Sequence, residues 1–245
     1  MTAVSGDAIF WNPRLATLYD VVDANRADLL HYVAIVREFS AQSVLDVGCG
    51  TGVFALLLAA NGIDVTGVDP AVASLDIARA KPGAEAVRWV VGDATMLPPM
   101  AVDLAVMTGN VAQVFLTNDA STANLDGIRH ALAPGGLLVF EVRDPARRGW
   151  EEWTRDQSIG KTYIDGVSTV ESWVELTDVS LPMVSLRHTY RFDDGGVMTS
   201  DSTLRFRERD EIEASLTASG FSTREVRSAP DRPGREFVFI AQRVD

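Results

Sequence analysis

The sequence of 245 residues contains very little cysteine and histidine. Its single cysteine, Cys49, excludes an intramolecular disulfide framework and a zinc site built from cysteines. The three histidines, His31, His130 and His188, are far apart in the chain, so we expect no bound metal ion. The sequence therefore predicts neither a disulfide scaffold nor a metalloprotein.

Positive charge and long apolar runs are also scarce. The chain has 34 acidic residues against 22 lysines and arginines, a formal net charge of −12, and an acidic surface repels the phosphates of nucleic acids. The longest apolar run, Val53–Ala60, is far shorter than a membrane-spanning helix, and the first residues lack the pattern of a signal peptide. We therefore expect a cytoplasmic protein with no nucleic-acid partner and no membrane contact.

The first 145 residues alternate between predicted strands and helices. Apolar spacing predicts helices over 24–39, 53–60, 71–80 and 119–132, and strands over Ser43–Val47, Ile63–Val68, Ala86–Val91, Ala101–Met107 and Leu137–Val142. Such alternation predicts βαβ units and a mostly parallel sheet with helices on both faces. Ligands of such sheets bind outside the carboxyl ends of the strands.

The pattern changes after about residue 160. Segments rich in β-branched and aromatic residues predict antiparallel strands over 167–178, 183–192 and 197–206, and a DDGG turn at 193–196 predicts a hairpin. A helix over 208–218 and two strands, 221–227 and 236–243, follow. We predict that the three antiparallel strands form an insert after the fifth strand of the main sheet.

The strongest motif lies between the first strand and the next helix. It reads Val44-Leu45-Asp46-Val47-Gly48-Cys49-Gly50-Thr51-Gly52. Glycines allow a tight turn and a close approach to a ligand, and the following helix presents free N–H groups. A dinucleotide fingerprint would need G-x-G-x-x-G, but this chain has Val53 at the last position, so a pyrophosphate site is less well matched.

Two acidic residues follow the second and third strands. Asp69, in Gly67-Val68-Asp69-Pro70, is placed to accept hydrogen bonds from ribose hydroxyls, or alternatively to cap the helix that begins near Ala71. Asp93, in Gly92-Asp93-Ala94, is placed to accept from an exocyclic amine, or alternatively is a solvated turn residue.

Taken in order, and followed by Leu132-Ala133-Pro134-Gly135-Gly136, these motifs resemble the class I S-adenosylmethionine-dependent methyltransferases over residues 15–145. The Leu18-Tyr19-Asp20 segment is similar to the small-molecule branch of that family. The resemblance implies a Rossmann-like seven-stranded sheet with helices on both faces and an antiparallel β insert after strand five that covers the acceptor. Val53 departs from close relatives, which often have a basic residue there.

The resemblance also implies which residues bind S-adenosyl-L-methionine. In the family, the glycine loop and its first acid meet the amino-acid end, and the acid after strand two holds the ribose. The acid after strand three holds the adenine amine, and the Ala94 N–H and the Met96 side chain would complete the adenine slot. The segment after strand four runs beside the sulfonium. The implied cofactor-binding residues are Asp46, Gly48, Cys49, Gly50, Asp69, Pro70, Asp93, Ala94, Met96, Thr108, Gly109 and Asn110.

From the resemblance we expect one methyltransferase domain over residues 1–245. It comprises an N-terminal helical cap (1–40), a cofactor-binding core (41–145), a β-rich substrate cap (150–206) and the last helix and strands of the core (207–245). We expect methyl transfer to nitrogen or oxygen of a small molecule, by a monomer or homodimer. The alternatives are a non-catalytic S-adenosylmethionine-binding regulatory or scaffold protein, or a nicotinamide-dependent oxidoreductase.

Several residues are candidates for the acceptor side, and each has a structural alternative. Tyr19, with Trp11, precedes the first predicted helix and either closes over the cofactor or pins that helix to the core. Glu141 and Arg143, followed by Asp144, either bind the acceptor or form a salt bridge. His188 is a candidate base or a buried structural histidine. The tryptophans of the insert line the site or form its core; they are Trp150, Trp153 and Trp173.

Overall fold

The computed structural model describes residues 6–22, 26–164 and 168–244. The strands are β1 (Ser43–Val47), β2 (Asp64–Asp69), β3 (Val87–Val91), β4 (Val102–Met107), β5 (Leu132–Arg143), β6 (Gly160–Ile164), β7 (Ser168–Ser180), β8 (Met183–Phe192), β9 (Val197–Arg205), β10 (Phe221–Ser228) and β11 (Glu236–Arg243). The helices are α1 (Ala8–Trp11), α2 (Pro13–Val22), α3 (Leu29–Glu38), α4 (Val53–Ala60), α5 (Val72–Ala80), α6 (Asn118–Ala131), α7 (Arg155–Ser158) and α8 (Arg209–Ala218). None of the described helices is long and apolar enough to cross a membrane.

The main sheet has seven strands in the order β10-β11-β5-β4-β1-β2-β3. Strands β1 to β5 pair in parallel, and β11 lies antiparallel between β5 and β10. This confirms the predicted fold class. The carboxyl ends of β1, β2, β4 and β5 lie along one edge of the sheet, and the loops that carry the predicted motifs follow them.

Apolar side chains cover both faces of this sheet. Alternation along β1 sends Val44 to the face covered by α3 and α4, and Leu45 to the face covered by α6 and α8. Burying each large apolar side chain contributes about 1.5–3 kcal/mol to folding. The same alternation places Asp46, two residues after Val44, on the α3–α4 face at the ligand-binding edge.

The N-terminal region differs from the prediction. The helix expected over 24–39 begins at Leu29, and residues 24 and 25 lie outside the described residues. Trp11 and Tyr19 do not precede the first helix, because they lie within α1 and α2. Helix α1 has only four residues, too few for its apolar period to be recognised, and Pro13 is compatible with the first position of α2 because that position needs no N–H donor.

Strand β5 also differs, since it begins at Leu132 and not at Leu137. The Pro134-Gly135-Gly136 segment interrupts the pairing of β5 with β4 without ending the strand, because the register passes from Val102–Leu132 to Leu104–Leu137. A bulge of this kind is indistinguishable from a turn in a sequence pattern.

The insert is an antiparallel sheet of four strands in the order β6-β7-β8-β9. The prediction found the last three strands and the hairpin at 193–196 but missed the short β6. One end of the inner face packs on the N-terminal helices, where Ile9, Leu15 and Leu18 contact Tyr190 and Phe192. The other end packs on Trp150 and Phe206.

Candidate active site

The glycine loop leaves β1 through three glycines with positive φ, Gly48 (72°), Gly50 (52°) and Gly52 (78°). A Cβ on Gly48 would lie 2.6 Å from Val111, and a Cβ on Gly52 would lie 2.5 Å from Trp89, so these two positions are required by packing. A Cβ on Gly50 would meet nothing within 4 Å. The loop backbone is therefore open to a ligand at Gly50.

Asp46 is buried beside this loop, and its Oδ2 has no hydrogen-bond partner among the described residues. Burial, followed by repulsion from Asp69, raises the pKa of Asp46 to about 7, while Arg26 and the Ala55 N–H partly offset the rise. An unpaired buried carboxylate costs free energy. The site therefore favours a cationic group that would pair with Asp46.

Asp69 fixes the glycine loop to the end of β2. Its Oδ2 accepts from the Gly50 N–H at 2.8 Å, and its Oδ1 accepts from the Ala71 N–H at 2.8 Å. Burial raises the pKa of Asp69, and the two N–H groups partly oppose that rise. The helix-cap alternative is wrong in detail, because α5 begins at Val72 and Ala71 occupies the N-cap position. Pro70 is exposed beside it.

The turn after β3 is organised by its own polar groups. Asp93 Oδ1 accepts from the Thr95 N–H at 2.9 Å and the Thr95 hydroxyl at 2.5 Å. The Ala94 N–H, expected to be free for an adenine ring, donates instead to Asn124 Oδ1 at 3.3 Å. Met96 is 67% exposed, so its side chain is free to cover a ligand.

The thiol of Cys49 does not face a ligand. A Cβ on Gly67 would lie 2.9 Å from its Sγ, and burial raises the pKa of the thiol well above its ordinary value. The Cys49 N–H donates to the Val68 carbonyl at 3.2 Å. Cys49 therefore holds the loop against β2 through its backbone and is unreactive.

The loop after β4 is held by Glu141 from β5. Glu141 Oε1 accepts from the N–H groups of Gly109, at 2.7 Å, and Asn110, at 3.3 Å, and Oε2 accepts from the Tyr32 hydroxyl. Burial raises the pKa of Glu141. Gly109 and Asn110 both have positive φ, and a Cβ on Gly109 would meet nothing within 4 Å. The loop Thr108–Asn110 is thus a fixed backbone segment that borders open space.

Arg143 does not form the anticipated salt bridge with Glu141. Its Nη1 donates to Gln113 Oε1 at 3.0 Å, its Nε lies 3.8 Å from Glu236 Oε1, and its guanidinium lies 5.4 Å from the Trp153 ring centroid. Burial lowers the pKa of Arg143. The neighbouring Asp144 accepts from the Ala146 N–H at 2.9 Å and so caps a short turn.

Buried Glu236 connects this arginine to the loop after β4. Its Oε1 accepts from Arg232 Nη1 at 2.7 Å and from Asn110 Nδ2 at 3.3 Å. The backbone register explains the cluster, because Glu236 pairs directly with Arg143 across β11 and β5. The amide oxygen of Asn110, Oδ1, has no hydrogen-bond partner among the described residues.

His188 lies on the insert, and Tyr19 lies on helix α2. His188 lies midway along the inner face of the insert, between its two apolar clusters, with its ring 6.3 Å from that of Tyr190. Burial lowers the pKa of His188, which favours the neutral form of the ring. Tyr19 packs 5.3 Å from Phe10 within the helical cap.

The three tryptophans do not form one wall. Trp150 is buried in the insert, 4.6 Å from the Phe206 ring. Trp153 alone borders Arg143. Trp173 lies on the outer face of the insert, where its Nε1 donates to Glu175 and Arg155 stacks at 4.6 Å.

A tether that sequence reasoning missed joins helix α2 to the glycine loop. Thr51 Oγ1 donates to Asp20 at 2.5 Å, Lys81 forms an ion pair with Asp20, and Lys81 donates to the Thr51 carbonyl at 2.7 Å. The other missed residues are Tyr32, Gln113, Arg232 and Glu236. None belongs to a recognisable motif; the one available indication was that Glu236 opens a predicted strand.

Comparison with known proteins agrees with this arrangement. Residues 44–136 match a family described as a methyltransferase domain. A cypemycin N-terminal methyltransferase from a Streptomyces species is 34% identical over 132 residues, 52% of this chain and 54% of that protein, so the chain spans about half the length of this curated relative.

Two solved structures share the whole fold. The sugar N-methyltransferase KedS8 from Streptoalloteichus has a TM-score of 0.75 at 21% identity, covering 100% of this chain and 98% of that one. The S-adenosylmethionine-bound amino pentose methyltransferase CalS10 from Micromonospora echinaspora has a TM-score of 0.72 at 22% identity, covering 93% and 97%. Residues 44–136 are therefore similar to a methyltransferase domain, and the whole chain shares its fold with these two structures.

Proposed function

We propose that this protein transfers the methyl group of S-adenosylmethionine to a nitrogen or oxygen atom of a small-molecule acceptor. The observation that carries the proposal is the buried Asp46 carboxylate, whose unpaired Oδ2 lies beside a glycine loop that is open at Gly50. The methionine end of the cofactor carries the ammonium group that such a carboxylate needs. Nitrogen acceptors are supported by the names of the similar proteins, which include a sugar N-methyltransferase and an N-terminal methyltransferase.

The proposed cofactor contacts divide among the strand ends. Asp46 and the Gly48–Gly50 backbone would hold the amino-acid end, Asp69 and Pro70 the ribose, and Asp93 with Met96 the adenine. Asp69 and Asp93 each already bind backbone N–H groups, so the ribose and adenine contacts would use their remaining acceptor capacity. The role proposed for the Ala94 N–H requires it to leave its long bond to Asn124.

The residues of this chain contribute mainly by positioning. A bound sulfonium supplies a methyl group that is already electrophilic, so the protein needs no covalent nucleophile. Glu141 fixes the backbone of Gly109 and Asn110 beside the proposed methyl position, and the insert with helices α1 and α2 covers the cleft and limits access of water. Positioning of this kind lowers the activation barrier of methyl transfer, because the reactants lose their orientational freedom on binding and not in the chemical step.

A protonated amine acceptor also needs a base, and His188 is the candidate with a free ring. Glu141 is occupied by three donors and Arg143 is cationic, whereas no described residue hydrogen bonds to the His188 ring nitrogens. Because its pKa is lowered, the acid limb of kcat/KM should fall below pH 6.5, the ordinary value. His188→Gln should remove that limb; an unchanged pH profile would exclude His188 as the base.

The experiment that tests the function is a turnover assay. The protein is incubated with methyl-labelled S-adenosylmethionine and a panel of small amines, amino sugars and hydroxylated compounds, and release of S-adenosylhomocysteine is measured. We expect release with at least one small acceptor and none from Asp69→Ala. Cofactor binding without turnover on any acceptor would instead favour the non-catalytic alternative.

A further inference from the structure

An open pocket of about 540 Å³ lies at the ends of β5 and β11. Four arginines line it, Arg143, Arg147, Arg232 and Arg235, against three carboxylates, Asp144, Glu152 and Glu236. The lining therefore carries an excess of one positive charge in a protein whose formal net charge is −12. Its volume is that of a small-molecule site.

Several N–H donors of these arginines have no hydrogen-bond partner among the described residues. Arg147 is 61% exposed, and its nearest carboxylate, Asp144, is 3.6 Å away. Arg232 uses Nη1 on Glu236, and Arg143 uses Nη1 on Gln113. Each guanidinium has five N–H donors in a planar arrangement that suits carboxylate and phosphate oxygens. The three acids hold the arginines in place without using all of these donors.

Glu236 links the pocket to the proposed site of methyl transfer. Arg143 and Glu236 line the pocket. Glu236 Oε1 also accepts a hydrogen bond from Asn110 Nδ2 at 3.3 Å, and Asn110 belongs to the loop proposed to run beside the methyl group. Trp153, which also lines the pocket, forms an apolar wall beside Arg143. A molecule bound here would extend from the pocket toward Asn110.

We infer that this pocket binds an anionic substituent of the methyl acceptor, a carboxylate or a phosphate, and so selects acceptors that carry negative charge. The inference rests on the proposed function, because it assigns a chemical class to the acceptor of the same site. It predicts that neutral and purely cationic amines are poorer substrates than amines that also carry an anionic group.

The test uses the protein saturated with S-adenosylhomocysteine. Acetate and malonate probe carboxylate binding, and inorganic phosphate and pyrophosphate probe phosphate binding, by thermal shift and calorimetry against chloride at equal ionic strength. The variant R147Q/R235Q removes two exposed arginines of the pocket. The matched control is R187Q, because Arg187 on the insert pairs with exposed Asp201 as Arg235 pairs with exposed Glu152.

We expect one class of anion to stabilise the wild-type protein and R187Q equally, and to bind R147Q/R235Q about tenfold more weakly. Affinity for S-adenosylhomocysteine should be the same in all three proteins. Binding of S-adenosylhomocysteine without any anion effect, or equal anion binding by R147Q/R235Q, would overturn the pocket assignment alone. Failure to bind S-adenosylhomocysteine would instead overturn the proposed function.

Discussion

At the scale of single residues, the carboxylate of Asp46, proposed to bind the cofactor, lowers the free energy of unfolding. Its folded pKa of about 7 lies above the ordinary value of 3.8, so the folded protein binds its proton more tightly than the unfolded chain does. Stability is therefore lost as pH rises from about 4 to about 7 and changes little from this residue above that range. A cationic ligand that pairs with the carboxylate would remove this penalty.

Asp46→Asn removes the charge at nearly constant volume. We expect the variant to melt at a higher temperature than the wild-type protein at pH 8, with a smaller difference at pH 5, and to bind S-adenosylmethionine more weakly. Thermal unfolding at the two pH values and calorimetry measure these effects. Asp64→Asn, at an exposed position on the same sheet, is the control. If the variant were less stable than the wild-type protein at pH 8, Asp46 would not be a destabilising buried carboxylate.

We expect Glu141 to act through the backbone N–H groups of Gly109 and Asn110, which donate to its Oε1. Glu141→Ala leaves two N–H groups of the 108–110 loop without their acceptor, at about 1–3 kcal/mol each when buried. We expect lower thermal stability and a large loss of kcat. Glu141→Gln retains an acceptor oxygen and should restore most of both. If Gln were as inactive as Ala while folding normally, the charge itself would act on the acceptor.

At the scale of elements, helix α2 is a cover tied to the glycine loop. Asp20 holds Thr51 and Lys81, and Ser74 on α5 donates to the Phe10 carbonyl at 2.9 Å, so both N-terminal helices are attached to the cofactor half. Ion pairs that are partly exposed contribute little to global stability. The tether should therefore affect ligand retention more than folding.

We expect Asp20→Asn to raise the Kd for S-adenosylhomocysteine about fivefold, corresponding to about 1 kcal/mol, with a change in melting temperature of only a few degrees. Calorimetry and thermal unfolding provide the two values. Arg14→Gln is the control, since Arg14 lies on the same helix but contacts Phe192 and Asp194 of the insert. Equal weakening by both variants would show a general loss of helix packing.

The elements of the core could be predicted because their apolar periods are long and unbroken. Strand β1 and helix α4 have the predicted bounds, and Asp46 and Asp69 lie at strand ends as expected. Short elements such as α1 and β6 contain too few residues to show a recognisable apolar period in the sequence. The partners of Arg143 were not predictable, because Gln113 and Glu236 approach it only through the order and register of the sheet.

At the scale of the whole molecule, the cleft is formed by three parts of the chain. The core sheet supplies the strand ends, the insert supplies the inner face that contains His188, and the N-terminal helices connect the two through Tyr190 and Phe192. Apolar contacts hold the insert against α1 and α2, and under the proposed function these elements cover the bound cofactor. Cofactor binding and packing of the cover should therefore stabilise each other.

Calorimetric titration with S-adenosylhomocysteine and, separately, with oxidised and reduced nicotinamide dinucleotides identifies the cofactor directly. We expect the wild-type protein to bind S-adenosylhomocysteine and neither dinucleotide. Asp69→Ala should unfold cooperatively but bind S-adenosylhomocysteine at least about tenfold more weakly. Unchanged affinity in that variant, or binding of a dinucleotide instead, would show that the glycine loop and Asp69 do not form an S-adenosylmethionine site.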